Sequence, residues 1–353
     1  MTLRIAFLGD IYTGLSKIHI GESLGNALLA CDFVIANLEG PIVEGDEKNS
    51  TIKGTYLSNT RHTIEILKSL HVTHVSLANN HIYDWGEIAV NKTKTILKDA
   101  GIEWLGAGQY DQIKTAVTVL KKEREEVSLI SATTSLIESV EATPTTEGCL
   151  TFDSKIFFDL KENQIKKSQC NVLYVHWGLT NYAYPTPRQR ELAKGWSDDG
   201  FDAIVGHHPH VRQGYELFGD DMVFYSLGNS VFGNYYRKGK RVSISKRNTT
   251  GFILILSVSE QEIKSREILL TYHPVGGGRL DLIKKIENSS LWLRAHSIPF
   301  LLSKKNYSLF FKGYVLMRLV KRTAYWINPR NLWISRGSLA SNFRSLLHIV
   351  SGR

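Results

Sequence analysis

Residues 203–211 read Ala203-Ile204-Val205-Gly206-His207-His208-Pro209-His210-Val211. Three apolar residues, two of them β-branched, run into a glycine and then into three imidazoles. The apolar part suits a short strand buried on both faces. The polar part stands where that strand must end. In open α/β sheets the crevice beyond the carboxyl ends of the strands is where ligands bind. A buried strand that stops in a row of histidines therefore points to such a sheet.

The same construction recurs outward along the chain. Leu3–Leu8 leads into Gly9 and Asp10, and Phe33–Ala36 leads into Asn37 and Glu39. His74–Ala78 leads into Asn80 and His81, and Asn171–Val175 leads into His176. Met222–Leu227 is a further buried run. Ile64, Leu67 and Leu70 predict a helix over Ser58–Leu70, capped by Ser58 or Asn59. Glu87–Ala100 predicts a second helix that stops at Gly101. Arg188–Asp199 predicts a third, with Pro187 near its first turn and Gly200 past its end. Ala116–Leu120 with Val127–Ala132, across the charged turn Lys121–Glu126, and Gly251–Val258 with Ser265–Tyr272 read as antiparallel pairs, so the sheets are mixed. Alternating strands and helices make this an α/β layered fold.

The chain has 353 residues, 42% hydrophobic and 22% charged. That composition excludes a disordered, collagenous or multi-span membrane protein. The net charge of +9 is uneven. Residues 285–353 carry twelve Lys or Arg against the single acid Glu287, leaving 31 basic and 33 acidic side chains for residues 1–284. The expected division is a near-neutral domain over 1–284 and a basic, aromatic, helical extension over 285–353. Three scattered cysteines, Cys31, Cys149 and Cys170, suit reduced thiols and a cytosolic protein. No signal peptide is legible at the amino terminus, and no stretch is both long and apolar enough to span a bilayer. The expected address is the cytoplasm.

Singly, the polar strand-end residues have ordinary roles. Asp10 suits a turn cap, Asn80 and Asp84 suit Asx turns, and His176 suits a hydrogen-bonded structural histidine. His208 and His210 differ, because Pro209 fixes the geometry that sets two imidazoles side by side. Five strand ends delivering Asp, Glu, Asn or His to one edge favour a metal site. Ligands of this kind, without thiolates, suit one or two divalent transition metals, Mn, Fe or Zn. Two such ions can hold a bridging hydroxide and clamp a phosphoryl group.

Six motifs stand in order: Gly-Asp-Ile at 9–11, Asn-Leu-Glu-Gly-Pro at 37–41, Asn-Asn-His-Ile-Tyr-Asp-Trp-Gly at 79–86, His-Trp-Gly at 176–178, Gly-His-His-Pro-His-Val at 206–211 and Tyr-Ser-Leu-Gly-Asn at 225–229. Together they resemble the CapA family of poly-gamma-glutamate capsule biosynthesis proteins, relatives of the calcineurin-like metallophosphoesterases. The resemblance runs from about residue 3 to about 275. It implies a metallophosphoesterase-like sandwich of two mixed β-sheets flanked by helices, with a metal centre at one edge. It further implies that Asp10 and His210 bind a first metal, that Glu39 bridges, and that Asn80, His176 and His208 bind the second. His81 would be the catalytic residue, donating to the leaving oxygen. Asn37, Asp84, His207 and Asn229 would hold ligands in place from behind.

Three departures stand out. Tyr12 occupies the position of the histidine in the Asp-x-His of the broader phosphoesterases, which costs the first site a nitrogen. Asn181 replaces the glutamate that usually follows His-Trp-Gly. Ser230 replaces a phenylalanine, read as a change in packing. Family members commonly carry an amino-terminal membrane anchor, which this sequence does not show.

In the extension, Trp292, Lys304, Lys305, Lys312, Lys321, Arg322 and Trp326 fit either a helix packed on the core or a contact with an anionic membrane surface or membrane-bound partner. Contact at the inner face of the plasma membrane would follow from the second. Nucleic acid is disfavoured for want of a binding motif. The expected activity is a metal-dependent, phosphoesterase-type hydrolase in capsule or surface-polymer biosynthesis, acting on a phosphoester or capsule polymer. The alternative is a non-catalytic, metal-stabilised component of a polymer synthesis or export complex.

Overall fold

The strand Leu3–Tyr12 alternates between two apolar cores. Leu3, Ile5 and Phe7 join one that includes Leu129, Val172, Tyr174 and Val205. Ala6 and Leu8 join another that includes Leu24, Leu28, Leu67, Val90 and Leu97. Burial on both faces is why the segment reads as one continuous apolar run. The computed structural model describes residues 2–14, 16–44, 55–113, 117–166, 169–237, 240–286, 299 and 302–327.

The first core lies between two mixed sheets. One follows the order Ile18–Ile20, Gly278–Ile286, Glu262–Tyr272, Thr250–Ser259, Leu3–Tyr12, Phe33–Leu38, His74–Ser76, Glu103–Leu105. The other follows Tyr215–Phe218, Asp221–Phe224, Ala203–His207, Cys170–His176, Glu125–Thr133, Thr118–Lys122, parallel except at its two outer strands. Helices Glu22–Leu29, His62–Ser69 and Gly86–Asp99 contribute to the second core. Helix Pro187–Asp198 opens on a capping box between Thr186 and Gln189, and its Trp196 stacks on Trp177 at 5.3 Å. This is the expected sandwich of mixed sheets flanked by helices.

Four local expectations change. The charged stretch Lys121–Glu126 is not all turn: Lys121 pairs with Glu126 and Lys122 with Glu125 across the strands, because facing opposite charges suit an exposed antiparallel edge. The helix expected from Ser58 begins only at His62. Asn59 does not cap it; its amide donates to the carbonyls of Glu39 and Gly40, and its oxygen accepts from the Thr13 N–H. The run Met222–Leu227 ends as a strand at Phe224, and the chain crosses to the other sheet, where Asn229–Phe232 pairs in parallel with Leu3–Tyr12. That crossing requires glycine at position 9, since a Cβ there would lie 1.8 Å from the Gly228 carbonyl oxygen. Ser230 is more than packing, because its hydroxyl accepts the Gly9 N–H at 2.9 Å.

The chain divides into two compact units, Met1–His296 and Ser297–Arg353. Within the second, Lys304–Ile327 is one helix, on which Lys304, Lys305 and Lys312 are exposed. Trp292 and the side chains of Lys321, Arg322 and Trp326 lie outside the described residues. Among the described residues no helix is long and apolar enough to cross a membrane.

Candidate metal centre

Strand register brings the polar residues together. Asp10 lies beside Asn37 and Asn229 on its two neighbours, and His176 lies beside His207 in the second sheet. The two sheets are joined near this edge by the Tyr174 hydroxyl, which donates to the Leu8 carbonyl. The carboxyl ends of both sheets therefore face one centre.

Asp10 is fully buried and richly bonded. One carboxylate oxygen accepts from the Asn37 amide at 2.9 Å and lies 3.1 Å from His207 Nδ1. The other accepts the His208 backbone N–H at 3.0 Å. Burial alone would push its carboxyl up, but the bonds and charge interactions with His176 and His207 hold it well below the usual carboxylate range. Glu39 is equally buried, yet neither of its carboxylate oxygens has a hydrogen-bond partner among the described residues. Burial, with repulsion from Asp10 and Asp84, pushes its carboxyl well above the usual value.

The histidines interlock. His176 Nε2 lies 2.9 Å from the Asn80 side-chain oxygen and 3.0 Å from His208 Nδ1, while its Nδ1 lies 2.8 Å from His207 Nδ1. His210 Nδ1 lies 2.9 Å from the Asn229 side-chain oxygen, and its Nε2 lies 3.6 Å from Glu39. Burial is the main cause that lowers all three, His176 to about 3, with His208 well below and His210 below the usual imidazole value. They are therefore neutral at pH 7, the form that ligates metals. With His210 neutral, its approach to Glu39 is not an ion pair. His208 has φ 95°, in the left-handed region that non-glycine residues avoid. The surrounding bonds hold that conformation, as happens at functional sites.

Two sets of ligand atoms converge: Asp10, His176 and His207, and then Glu39, His208 and His210, each within 4.8 Å. Five of the six expected ligands fall in these sets and the sixth, Asn80, contacts His176, but the sets divide differently from the expectation: His176 stands with Asp10, and His210 with Glu39 and His208. His207, expected behind the ligands, stands among them, and its Nε2 is buried without a hydrogen-bond partner. The orphaned oxygens of Glu39, beside imidazole nitrogens and with no thiolate in either set, fit a hard or borderline cation.

His81 sits at the rim, its side chain 12% exposed where Asp10, Glu39 and His176 are fully buried. Its Nδ1 is 2.6 Å from Asp84, whose same oxygen accepts the Leu57 N–H. Tyr12 does not replace the missing nitrogen ligand. Its ring packs 5.0 Å from that of Phe232, its hydroxyl bonds the Ser58 backbone, and burial pushes that hydroxyl up. Asn181 accepts from the Asn248 amide at 2.8 Å. Two residues had no role assigned from the sequence. Asn79 donates to Asn37 and to the Leu38 carbonyl while accepting the His81 N–H. Asn248 donates to the His210 carbonyl, and its own carbonyl accepts from Asn229. The first opens the motif at 79–86 beside Asn80, which was its signal; nothing local marked the second.

A two-sheet α/β sandwich with two clusters of buried nitrogen and oxygen ligands at one strand edge defines a candidate metal-centre protein. The family model described as Bacterial capsule synthesis protein PGA_cap matches residues 5–234, and the chain belongs to that family. It is 30% identical over 254 residues to "Capsule biosynthesis protein CapA" of Bacillus anthracis, covering 69% of this chain and 61% of that protein. It is 28% identical over 263 residues to "PGA biosynthesis protein CapA" of Bacillus subtilis, covering 70% and 69%. The chain therefore spans under two thirds of the first relative's length. A solved 5'-nucleotidase precursor from Thermus thermophilus is 16% identical with a TM-score of 0.44, covering 76% of this chain and 54% of that one. The structural likeness at that score adds nothing to the fold described above.

Proposed function

We propose that the chain is a metal-dependent hydrolase of phosphoesterase type that acts in making a capsule or surface polymer. The observation that carries this reading is Glu39: a fully buried carboxylate with neither oxygen hydrogen-bonded, beside neutral imidazoles. Leaving such a group unpaired costs on the order of several kcal/mol, which a bound cation would offset. Divalent transition metals held by Asp10, Glu39, Asn80, His176, His208 and His210, with His207 beside Asp10, would supply an activated hydroxide and a clamp for a phosphoryl group. Asp10 is pre-set as an anion. Asn37, Asn79, Asn229 and Asn248 hold its neighbours in orientation. Asp84 fixes the His81 ring through Nδ1, which leaves Nε2 to pass a proton to the leaving oxygen.

A second reading is a non-catalytic, metal-stabilised component of a polymer synthesis complex. Tyr12 favours it, since its hydroxyl is turned to the Ser58 backbone and one nitrogen ligand is lost. In either reading the exposed Lys304, Lys305 and Lys312 suit contact with an anionic membrane surface at the cytoplasmic face.

Elemental analysis of untagged, chelator-free protein beside His81→Ala and His208→Ala/His210→Ala separates the two. The hydrolase reading expects roughly one or two transition-metal ions per chain. They would be kept in His81→Ala, lost in the double variant, and accompanied by a fall in phosphoester turnover of about 100-fold or more in His81→Ala. Undiminished turnover in His81→Ala would remove that residue from the mechanism, and metal without any turnover in wild type would favour the second reading.

A further inference from the structure

His208 and His210 flank Pro209 with φ 95° and 56°, so two non-glycine residues of one short turn lie in the left-handed region. Three backbone groups of that turn are held in place. The His208 N–H donates to Asp10 at 3.0 Å, the Pro209 carbonyl accepts the Asn181 N–H at 2.7 Å, and the His210 carbonyl accepts from the Asn248 amide at 2.8 Å. Asn181 is itself left-handed, with φ 67°, a conformation that asparagine tolerates better than most residues. Its side-chain oxygen takes the second hydrogen of the Asn248 amide at 2.8 Å. Asn181 thus braces both carbonyls of the turn, one directly and one through Asn248.

From Asn248 the bonds return to the His210 ring. The Asn248 carbonyl accepts from the Asn229 amide at 3.0 Å. A carbonyl can only accept, so the Asn229 nitrogen faces Asn248 and its oxygen faces His210 Nδ1, 2.9 Å away. That oxygen can only accept as well, so Nδ1 carries the ring proton of neutral His210. Two carboxylates stand at nearly equal distances from the two nitrogens, Asp10 3.5 Å from Nδ1 and Glu39 3.6 Å from Nε2. Neither is at ordinary hydrogen-bond length, so the Asn229 amide decides the tautomer. Nε2 keeps its lone pair on the side of Glu39, the form in which an imidazole binds a cation. The three asparagines come from three separate stretches: the loop after Cys170–His176, the turn Lys246–Asn248 and the start of Asn229–Phe232.

We propose that Asn181 is a positioning residue for this edge: through Asn248 and Asn229 it sets His210 in the Nδ1–H tautomer, with the Nε2 lone pair turned toward Glu39. The use of that lone pair by a divalent cation rests on the metal-centre reading above; the tautomer itself does not. Asn181 acts in two ways that substitution separates. Glycine at 181 keeps the left-handed backbone and its N–H bond to Pro209 but removes the acceptor that orients the Asn248 amide. Aspartate keeps both. Without the acceptor the Asn248 amide is free to turn, the Asn229 amide loses the carbonyl that orients it, and either end of Asn229 can then face His210.

The test reads the tautomer directly, by proton–nitrogen correlation spectra of full-length, metal-free protein with nitrogen-labelled histidine. The His210 signal is the one missing from His210→Gln. Wild type and Asn181→Asp should show Nδ1–H, and Asn181→Gly a shift toward Nε2–H. Zinc affinity, measured by competition with a fluorescent chelator, should fall about tenfold or more in Asn181→Gly and stay near wild type in Asn181→Asp. Asn248→Ala should reproduce the glycine variant, and adding Asn181→Gly to it should cost nothing further, because the acceptor then has no amide to orient. That comparison still decides if Asn181→Gly alone melts early. Nε2–H in wild type would overturn the proposal, as would an Asn181→Gly protein with wild-type tautomer and affinity. Additive losses in the double variant would also overturn it, since Asn181 would then act by another route. A tautomer shift in Asn181→Gly, with no zinc bound even by wild type, supports the positioning role and sinks the metal-dependent reading. Zinc-loaded, active wild type with one tautomer in every variant does the reverse.

Discussion

At the amino ends of the strands Arg4, Asp32 and Glu267 each have a charged partner, even though single atoms such as Arg4 Nε go unbonded, whereas at the carboxyl ends the buried carboxylate Glu39 has no hydrogen-bond partner on either oxygen among the described residues. Arg4 meets Glu267 at 3.0 Å, and the second oxygen of Glu267 meets Lys285 at 2.6 Å. Asp32 accepts the Arg4 N–H at 2.8 Å and meets Lys122 at 2.7 Å. At the other end of the same sheets, Asp10, Glu39, His176 and His207 are fully buried within one cluster. There neither carboxylate oxygen of Glu39 has a hydrogen-bond partner among the described residues. One end is arranged for the fold alone. The other carries a cost that folding does not offset, which is the mark of a place completed by a ligand.

The largest expected break comes at Glu39. Glu39→Gln keeps the side chain's shape and removes the charge. Metal affinity should fall by more than the roughly 10–100-fold that outer partners of ligands are worth. Chelator-treated protein should melt no earlier than chelator-treated wild type, because the carboxylate has no bond to lose. Metal titration followed by elemental analysis and thermal melting measure both. An early-melting, metal-replete variant would make Glu39 a structural group and erase the contrast between the two ends.

Glu267→Gln probes the opposite end with a smaller effect. Glu267 is 26% exposed and Arg4 36%, so the loss should be about 1 kcal/mol or less after screening. Metal content and turnover should not move. A variant that lost metal would mean that the two ends are coupled through Leu3–Tyr12.

Much of this contrast was legible in residue order. Strands buried on both faces are unbroken apolar runs, and the polar residue that ends each run is conspicuous beside them. Asp10, Glu39, His176, His208 and His210 could be picked out on that ground. What escaped notice depends on distance along the chain. Asn248 reaches His210, 38 positions away, and Asn181, 67 positions away, so no local pattern marks it. Ser230 reads as lost packing until Gly9 is seen against it. His207 reads as a neighbour of ligands, because alternation along a strand that ends at His207 does not say how it, His208 and His210 divide their directions.

The smallest expected effect belongs to Asp202, just before the strand that ends in His207. Its carboxylate accepts the Asn171 N–H at 2.7 Å, yet burial, with Asp221 nearby, raises its pKa to about 6. A carboxyl whose folded value lies above its unfolded 3.8 favours the folded state while protonated. That contribution is present below about pH 4 and lost as pH rises through about 6. Asp202→Asn keeps an acceptor for Asn171 and removes the charge. It should raise stability at about pH 8 by about 1 kcal/mol at most, since the group is partly solvated, and should change nothing at about pH 4. Melting of both proteins at the two pH values decides the point. A gain in acid as large as in base would mean that the effect is not electrostatic. A loss in base would mean that the charged carboxylate strengthens its bond to Asn171 by more than its burial costs. Asp202 would then be a fully satisfied anion like Asp10 at the far end, and the two ends would differ in what they leave unbonded rather than in how they carry charge.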